Sequence, residues 1–598
     1  MILSSRYLRA WSLFFSLGVG FPNWVFAQTL NAQQKPLQAA VAMPDKHSAM
    51  VAKNILQRGG NAVDAAVAAG FVLAVTYPEA GNLGGGGFMT LYTPNLKSQS
   101  TDIARQNHSE PLYFLDYREK APLAASKEMY LDKNNNVIPY RSLVGYKASG
   151  VPGTVMGLWQ AHQRFGSLPW QELLAPAIQY AEQGFNVSPQ LQNRSKWYQG
   201  WVAQKSPVEL NFDAYFSDLT EGKLFVQPEL AATLKRLAKE GANDFYQGVT
   251  ADLLVKQMNT PSNPDDRGLI TKEDLSQYQA KWRTPVIGNW KNRQVVSAPP
   301  PSSGGIAILQ LLKMKELLDE PYRQSLLRAK KLGFSEMTAR THFFAELEKR
   351  VYADRAYFLG DSDFVNVPQN ELISESYLKQ RASAVQFERI SKSEQIKPGT
   401  IESPETTHFS ILDAQGNAVS NTYTLNMPFG NGVVIEGAGF LMNNEMDDFS
   451  TKPGVANIFG VVGGKANEIA PEKRMLSSMS PTLVLKDGEI EMVVGTPGGS
   501  TIITSVFQTI VNLVEEGMTP QQSVDAVRVH HQLLPKDVIA YNPELPNTVK
   551  LELESMGYKL KKNNYMGDVQ LIYQNHTGLE AASDVRGEGV SLVFTVNP

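Results

Sequence analysis

Apolar and polar positions along the chain change period several times, and each change marks an element. Ser48 to Arg58 has helical spacing and stops at Gly59-Gly60, after which Asn61 is placed to cap a second helix, Ala62 to Val75. That second helix is alanine and valine on every side, the composition of a helix buried against other backbone, and it ends near Pro78. Gly81 to Met89 contains four successive glycines at 84–87 and runs into a strand, Phe88 to Tyr92; another strand, Phe114 to Glu119, ends in charge. Gly150 to Thr154 is a turn before a helix, Val155 to Phe165. From Trp170 to Leu378 the pattern is mainly helical, interrupted by Trp282 to Val296 and the loop Pro299 to Gly305. Helices there, such as His342 to Phe358, mix charge with apolar spacing and read as scaffold. Arg381 to Pro404 is charged and has no core pattern, as expected of an exposed linker.

Directly after it, Thr406 to Leu412 alternates, Asp413 to Asn417 has turn composition, and Ala418 to Leu425 alternates again. That is a hairpin. A loop of those turn residues sets Leu412 opposite Ala418 and Thr406 opposite Thr424, with facing Cβ atoms about 5 Å apart. On the hairpin alone this is an ordinary threonine pair. Leu483 to Lys486, Asp487-Gly488 and Glu491 to Gly495 form a second hairpin, and Thr496 to Ser500 opens an apolar helix, Ile502 to Val514.

Composition narrows the chemistry. The 598 residues are 42% hydrophobic with a net charge of -3, so the chain is globular and offers no basic run for a nucleic-acid partner. It has no cysteine, which excludes disulfides, thiolate metal sites and cysteine nucleophiles. Arg6 and Arg9, the apolar run Trp11 to Phe21, and Val25-Phe26-Ala27 read as a signal peptide over residues 1–27, with an uncleaved anchor as the alternative. Beyond it no apolar run approaches the ~20 residues of a spanning helix. A large exported chain without cysteine fits a bacterial periplasm, or secretion.

The glycine run at 84–87 precedes a strand and lacks a following Gly-Lys-Ser/Thr, so it is neither a dinucleotide fingerprint nor a P-loop; it reads as a packing or site-lining turn. Gly-x-Ser-x-Gly and His-Glu-x-x-His are both absent. His342 and Glu346 share a helical face without a third ligand, a poor metal site, and His530-His531 reads as a structural pair at a helix end. Arg118 is either a surface charge or a carboxylate clamp. A threonine released by cleavage of Glu405–Thr406 needs no histidine, because its own α-amine, with a reference pKa of about 7.7–8.0, takes the hydroxyl proton. Thr406 stands at a strand start after a removable linker, Thr424 supplies a facing hydroxyl, and Gly498-Gly499 opens a helix where N–H groups could meet an oxyanion.

Several motifs then fall in register. Thr406 to Ser410, Tyr423 to Asn426, Asn443 to Phe449, Leu476 to Thr482 and Pro497 to Ser500 resemble the γ-glutamyltransferase (glutathione hydrolase) family, as do Gly60 to Ala66, Gly81 to Met89 and Asp116 to Glu119. The resemblance runs from about Val41 onward. It implies an α+β fold, a four-layer αββα sandwich of the N-terminal-nucleophile hydrolase type. It implies cleavage after Glu405 into a large subunit (28–405) and a small one (406–598) that together form one intertwined heterodimer. Thr406 is then the nucleophile, Thr424 its hydroxyl partner, and the Gly498 and Gly499 amides the oxyanion donors. Arg118 matches the family's α-carboxylate clamp, with Ser477 and Ser478 as hydroxyl partners, while Asn426, Glu445 and Asp448 match the residues around the α-amino group. Phe459 stands in the lid loop, Pro453 to Gly464, where relatives often carry tyrosine. Glutathione and related γ-glutamyl compounds are the implied substrates, with water, amino acids or dipeptides as acceptors and no cofactor. An acylase of the same fold and an inactive exported relative are the competing readings.

Overall fold

A computed structural model of the chain describes residues 37–96, 111–396, 406–452 and 464–596. The expected signal peptide, Glu405 and Phe459 lie outside them. The Thr406 hairpin forms the middle of a seven-stranded sheet. Its order is Val590–Val596, Leu37–Met43, Thr407–Leu412, Ala418–Thr424, Gly86–Tyr92, Leu112–Tyr117 and Lys281–Arg283. A second, six-stranded sheet runs Gly578–Ser583, Gln570–Asn575, Glu489–Gly495, Thr482–Lys486, Arg293–Ser297 and Val286–Trp290.

Strand alternation makes these two sheets a sandwich. Ala40, Ala42, Leu412 and Ala418 point to one face and pack with Val296, Leu483, Val493 and Ile572 of the second sheet. Across the same gap Ser410 Oγ donates to the Gln570 carbonyl (3.1 Å) and Ser420 Oγ to the Val494 carbonyl (3.2 Å). The alternate residues Phe409, Ile411, Val419 and Tyr423 face outward into a core shared with the Ala62–Thr76 helix. On the far side, Val484, Met492 and Leu571 pack with the helices Gly304–Leu317, Glu336–Phe358 and Thr501–Val514. The layers are helix, sheet, sheet, helix. Leu37–Met43 lies between Val590–Val596 and Thr407–Leu412, so segments from both sides of residue 405 interleave in one sheet.

The Ala62–Thr76 helix is buried along its whole length, as its composition predicts. Asn61 caps it by accepting from the Val63 and Asp64 N–H groups (2.8 and 3.0 Å), and Asp64 accepts from the Asn61 N–H (3.0 Å). Two expectations need correction. His530-His531 ends a strand, Arg528–His530, not a helix; Val527 and Val529 alternate with Arg528 and His530, a strand period. The linker expected from Arg381 is docked as far as Ile396. Arg381 pairs with Asp354 (2.9 Å), Val385 is buried and Ser393 Oγ donates to Asp537 (2.9 Å). Its other charges, Glu388, Arg389, Lys392 and Glu394, are exposed, and the docking is made by Arg381, Val385 and Ser393. His342 and Glu346 are likewise occupied: the His342 ring meets Tyr558 Oη and the Gln386 carbonyl (both 2.8 Å), and Glu346 pairs with Lys349 and Arg350.

Candidate active site

The hairpin register pairs Ala418 with Leu412 through Tyr423 with Thr407, the expected alignment. One further step sets Thr424 opposite Thr406, and both residues are buried. Thr424 Oγ1 accepts from the Asn426 N–H (2.7 Å). Thr406, His408 and Ser410 share the face turned toward the second sheet. The His408 ring occupies the space a side chain on Gly495 would need, 2.3 Å from its Cβ position. It also bonds Thr422 Oγ1 (2.8 Å) and Ser410 Oγ (3.1 Å). Burial pushes this imidazole down to about 3, so it stays neutral, and with both nitrogens engaged it is no base for Thr406.

Thr406 lies two residues beyond His408, toward the end where Gly495 runs into Thr496 to Ser500. Gly498 (φ 132°) and Gly499 (φ 55°) both adopt backbone that a side chain would strain. Their carbonyls are drawn into the following helix, Gly498 accepting from the Thr501 N–H (3.0 Å) and Gly499 from the Ile502 N–H (3.1 Å). The early peptide N–H groups of a helix have no intrahelical acceptor and favour negative charge. The glycine run lines the other side: a Cβ on Gly85 would lie 2.0 Å from the Thr424 carbonyl oxygen.

The charged residues adjoin this end through Gly86. It pairs with Thr424 in the sheet, and a Cβ on it would come within 2.7 Å of Glu119 Oε2. Glu119 is in turn 3.7 Å from Arg118 Nη1. Arg118 is fully buried, with Nη1 on Glu445, Nη2 on Asp448 and Nε on the Met475 carbonyl (3.3 Å). Arg118 and these carboxylates meet directly, because a buried guanidinium needs a counter-charge. Its backbone is fixed from behind. The Arg118 N–H donates to Asp116 (2.9 Å), which also holds Arg283 (2.7 Å) and Arg474 (3.3 Å), while Tyr278 Oη donates to the Arg118 carbonyl (2.8 Å). Burial pushes the carboxyls of Glu445 and Asp448 up and the Arg118 charge pulls them back; Glu119 is driven to about 8 against the same pull.

Ser477 and Ser478 border Arg118 through the Leu476 carbonyl (3.4 Å from Nη2). Ser477 Oγ accepts from the Met479 N–H (3.1 Å) and Ser478 Oγ from Arg355 (3.2 Å). Asn426 has a left-handed backbone (φ 77°) and donates to the Asn444 carbonyl (3.0 Å), joining the hairpin to the loop that carries Glu445. Thus Arg118, Asn426, Glu445, Asp448, Ser477 and Ser478 lie in one connected group, contiguous with Thr424 and the Thr406 position. Sequence reasoning missed Glu119, Arg355 and Asp447, whose carboxyl burial pushes to about 7 while Ser142 donates to it (2.5 Å). The available signal for Arg355 was its place in a helix whose apolar spacing buries several charged residues together.

The helix-flanked pair of antiparallel sheets, with a threonine entering a central strand, defines the N-terminal-nucleophile hydrolase fold. A cephalosporin acylase from Bacillus halodurans shares that fold, with a TM-score of 0.76 at 23% identity over 97% of this chain and 99% of its own. The family model for gamma-glutamyltranspeptidase matches residues 48–594, and the chain belongs to that family. It is 53% identical over 585 residues to the glutathione hydrolase proenzyme of Pseudomonas aeruginosa, covering 97% of this chain and 98% of the relative. A solved gamma-glutamyltranspeptidase chain from Pseudomonas nitroreducens, complexed with L-DON, is 48% identical with a TM-score of 0.51, covering 60% of this chain and 97% of its own.

Proposed function

We propose that this protein is an exported, self-cleaving γ-glutamyl hydrolase and transferase acting on glutathione and related γ-glutamyl compounds. The observation that carries the reading is the contiguity of Thr406 and Thr424 with the Arg118–Glu445–Asp448 cluster. The proenzyme name of the 53% identical relative supports self-cleavage, and so does the solved chain that corresponds to only 60% of this one.

In the proposed processing step Thr406 Oγ attacks the Glu405 carbonyl and the peptide nitrogen leaves it, giving an ester. Water cleaves the ester, leaving a Glu405 carboxylate and a free Thr406 α-amine. The products are a large subunit, 28–405, and a small one, 406–598, which stay together as a heterodimer because their strands interleave. The free amine then takes the Thr406 hydroxyl proton as Oγ attacks the γ-glutamyl carbonyl, and passes it to the departing amine. The Gly498 and Gly499 amides receive the oxyanion; removing one such donor typically costs about 3 kcal/mol. Water or an amino acid or dipeptide acceptor releases the acyl group.

Recognition is an exchange of ions. The substrate's α-carboxylate takes Arg118 with the Ser477 and Ser478 hydroxyls, and its α-ammonium takes Glu445 and Asp448 with Asn426 beside them. A zwitterion replaces both halves of the existing ion pair, whereas a glutaryl group, lacking the ammonium, strands two buried carboxylates. This favours a γ-glutamyl enzyme over an acylase. Residues 1–27 direct export to the periplasm; among the described residues no helix is long and apolar enough to cross a membrane.

The test is a denaturing gel run beside a γ-glutamyl anilide assay. Two fragments and anilide release are expected. One uncut band without turnover would sink the proposal.

A further inference from the structure

Arg355 lies in the last turn of the Glu336–Phe358 helix and is fully buried. Its Nε donates to Ser303 Oγ (2.8 Å) and its Nη2 to Ser478 Oγ (3.2 Å). Ser303 passes the contact onward: its hydroxyl and its N–H both donate to the Ser477 carbonyl (2.7 Å each). Ser302 Oγ donates to the Met479 carbonyl (2.7 Å) beside it. The Ser477–Met479 segment is therefore held from behind by Arg355 and by the Ser302–Ser303 turn.

A serine hydroxyl has one proton to give and two lone pairs to accept with. Ser303 uses its proton on the Ser477 carbonyl while accepting from Arg355. Ser478 accepts from the same guanidinium, and a guanidinium accepts nothing. The proton of Ser478 must therefore point away from Arg355.

We propose that Arg355 is a positioning residue for the substrate's α-carboxylate: it fixes Ser478 as a hydrogen-bond donor beside Arg118. Lysine cannot copy this, because the two serines are reached by separate arms of one planar fork. The inference rests on the γ-glutamyl reading above.

The test is steady-state hydrolysis of γ-glutamyl anilide by the cleaved wild type, Arg355→Gln, Arg355→Lys, Ser478→Ala and the Arg355→Gln/Ser478→Ala double variant. Loss of a charge-assisted donor is expected to raise KM about tenfold in Arg355→Gln, with kcat within about twofold. Arg355→Lys should recover part of that loss. In the Ser478→Ala background the Arg355→Gln effect should shrink to about twofold or less, because residues acting through one another are not additive. Competitive inhibition by glutamate should weaken about tenfold, and inhibition by 4-aminobutyrate, which lacks the α-carboxylate, should not change. Multiplicative effects in the double variant, or equal weakening for both inhibitors, overturn the proposal. Loss of folded, cleaved protein in both the Gln and Lys variants also overturns it, because Arg355 is then scaffold. An active wild type with an unaltered Arg355→Gln sinks this inference alone, whereas an inactive wild type sinks the γ-glutamyl reading with it.

Discussion

The two ends of this site are built from opposite materials. Around Thr406 the groups are neutral and packed by backbone: Thr424 opposite, His408 held uncharged beneath, and Gly85 so close to the Thr424 carbonyl that no side chain fits. A short step away, through Gly86, the environment is ionic, with Arg118 buried among Glu119, Glu445 and Asp448. On the proposed reading, bonds are made where position is fixed by the packing of groups that are uncharged at neutral pH. On the proposed reading, the ionic end recognises substrate by exchanging the Arg118–Glu445 and Arg118–Asp448 pairs for those of a zwitterion.

If that division is right, the variants should separate by kinetic constant. Thr406→Ala removes the reacting atom and should lower kcat by on the order of 10⁴-fold or more while leaving one uncut band on a denaturing gel. Retained cleavage in that variant would refute the nucleophile assignment. Arg118→Gln should chiefly raise KM, by on the order of 10²-fold, because it removes charge-assisted bonds to the substrate carboxylate. A kcat loss of that size at unchanged KM would merge the two ends into one. Gly85→Ala touches no charge, yet it places a methyl against backbone and should cost about 1–3 kcal/mol in a denaturant melt. An unchanged melt would show that the neutral end is not closely packed after all.

The same contrast explains what could be read in the chain. The hairpin register and the capped Ala62–Thr76 helix were legible because turn length, alternation and capping act over a few residues. Arg118 was ambiguous between surface and clamp, and Glu445 and Asp448 gained meaning only from motifs in register. Glu119 and Arg355 go unread, and so does the pairing of Arg381 with Asp354, for one physical reason. Charge in a sequence implies solvent unless a partner is known, and these partners lie far away along the chain: Arg355 meets Ser478, and Arg118 meets Glu445. Periodicity shows which face of an element is buried, but pairing of charges across elements decides whether a charged residue joins that face.

The smallest expected effect is the sharpest test of the comparison, because the two ends should respond to pH with opposite sign. His408 has its pKa lowered by burial from 6.5 to about 3 in the folded protein. Below pH 6.5 the unfolded chain binds a proton that the folded chain refuses. His408 therefore withdraws stability as pH falls from 6.5 toward 3, by about 1.4 kcal/mol per unit. Glu119 has its pKa raised by burial from 4.5 to about 8, against the pull of Arg118. Above pH 4.5 the unfolded chain releases a proton that the folded chain keeps, so Glu119 withdraws stability as pH rises from 4.5 toward 8. Other buried groups contribute slopes of their own, His530 in the same direction as His408, so the comparison must be made by difference. Urea midpoints at pH 5.5 and 7.5 for the wild type, His408→Gln and Glu119→Gln supply it. His408→Gln should lose less stability than the wild type on acidification, and Glu119→Gln should lose less on going to pH 7.5. If the two variants shift the midpoints in the same direction, the neutral and ionic ends do not differ in the way their burial requires.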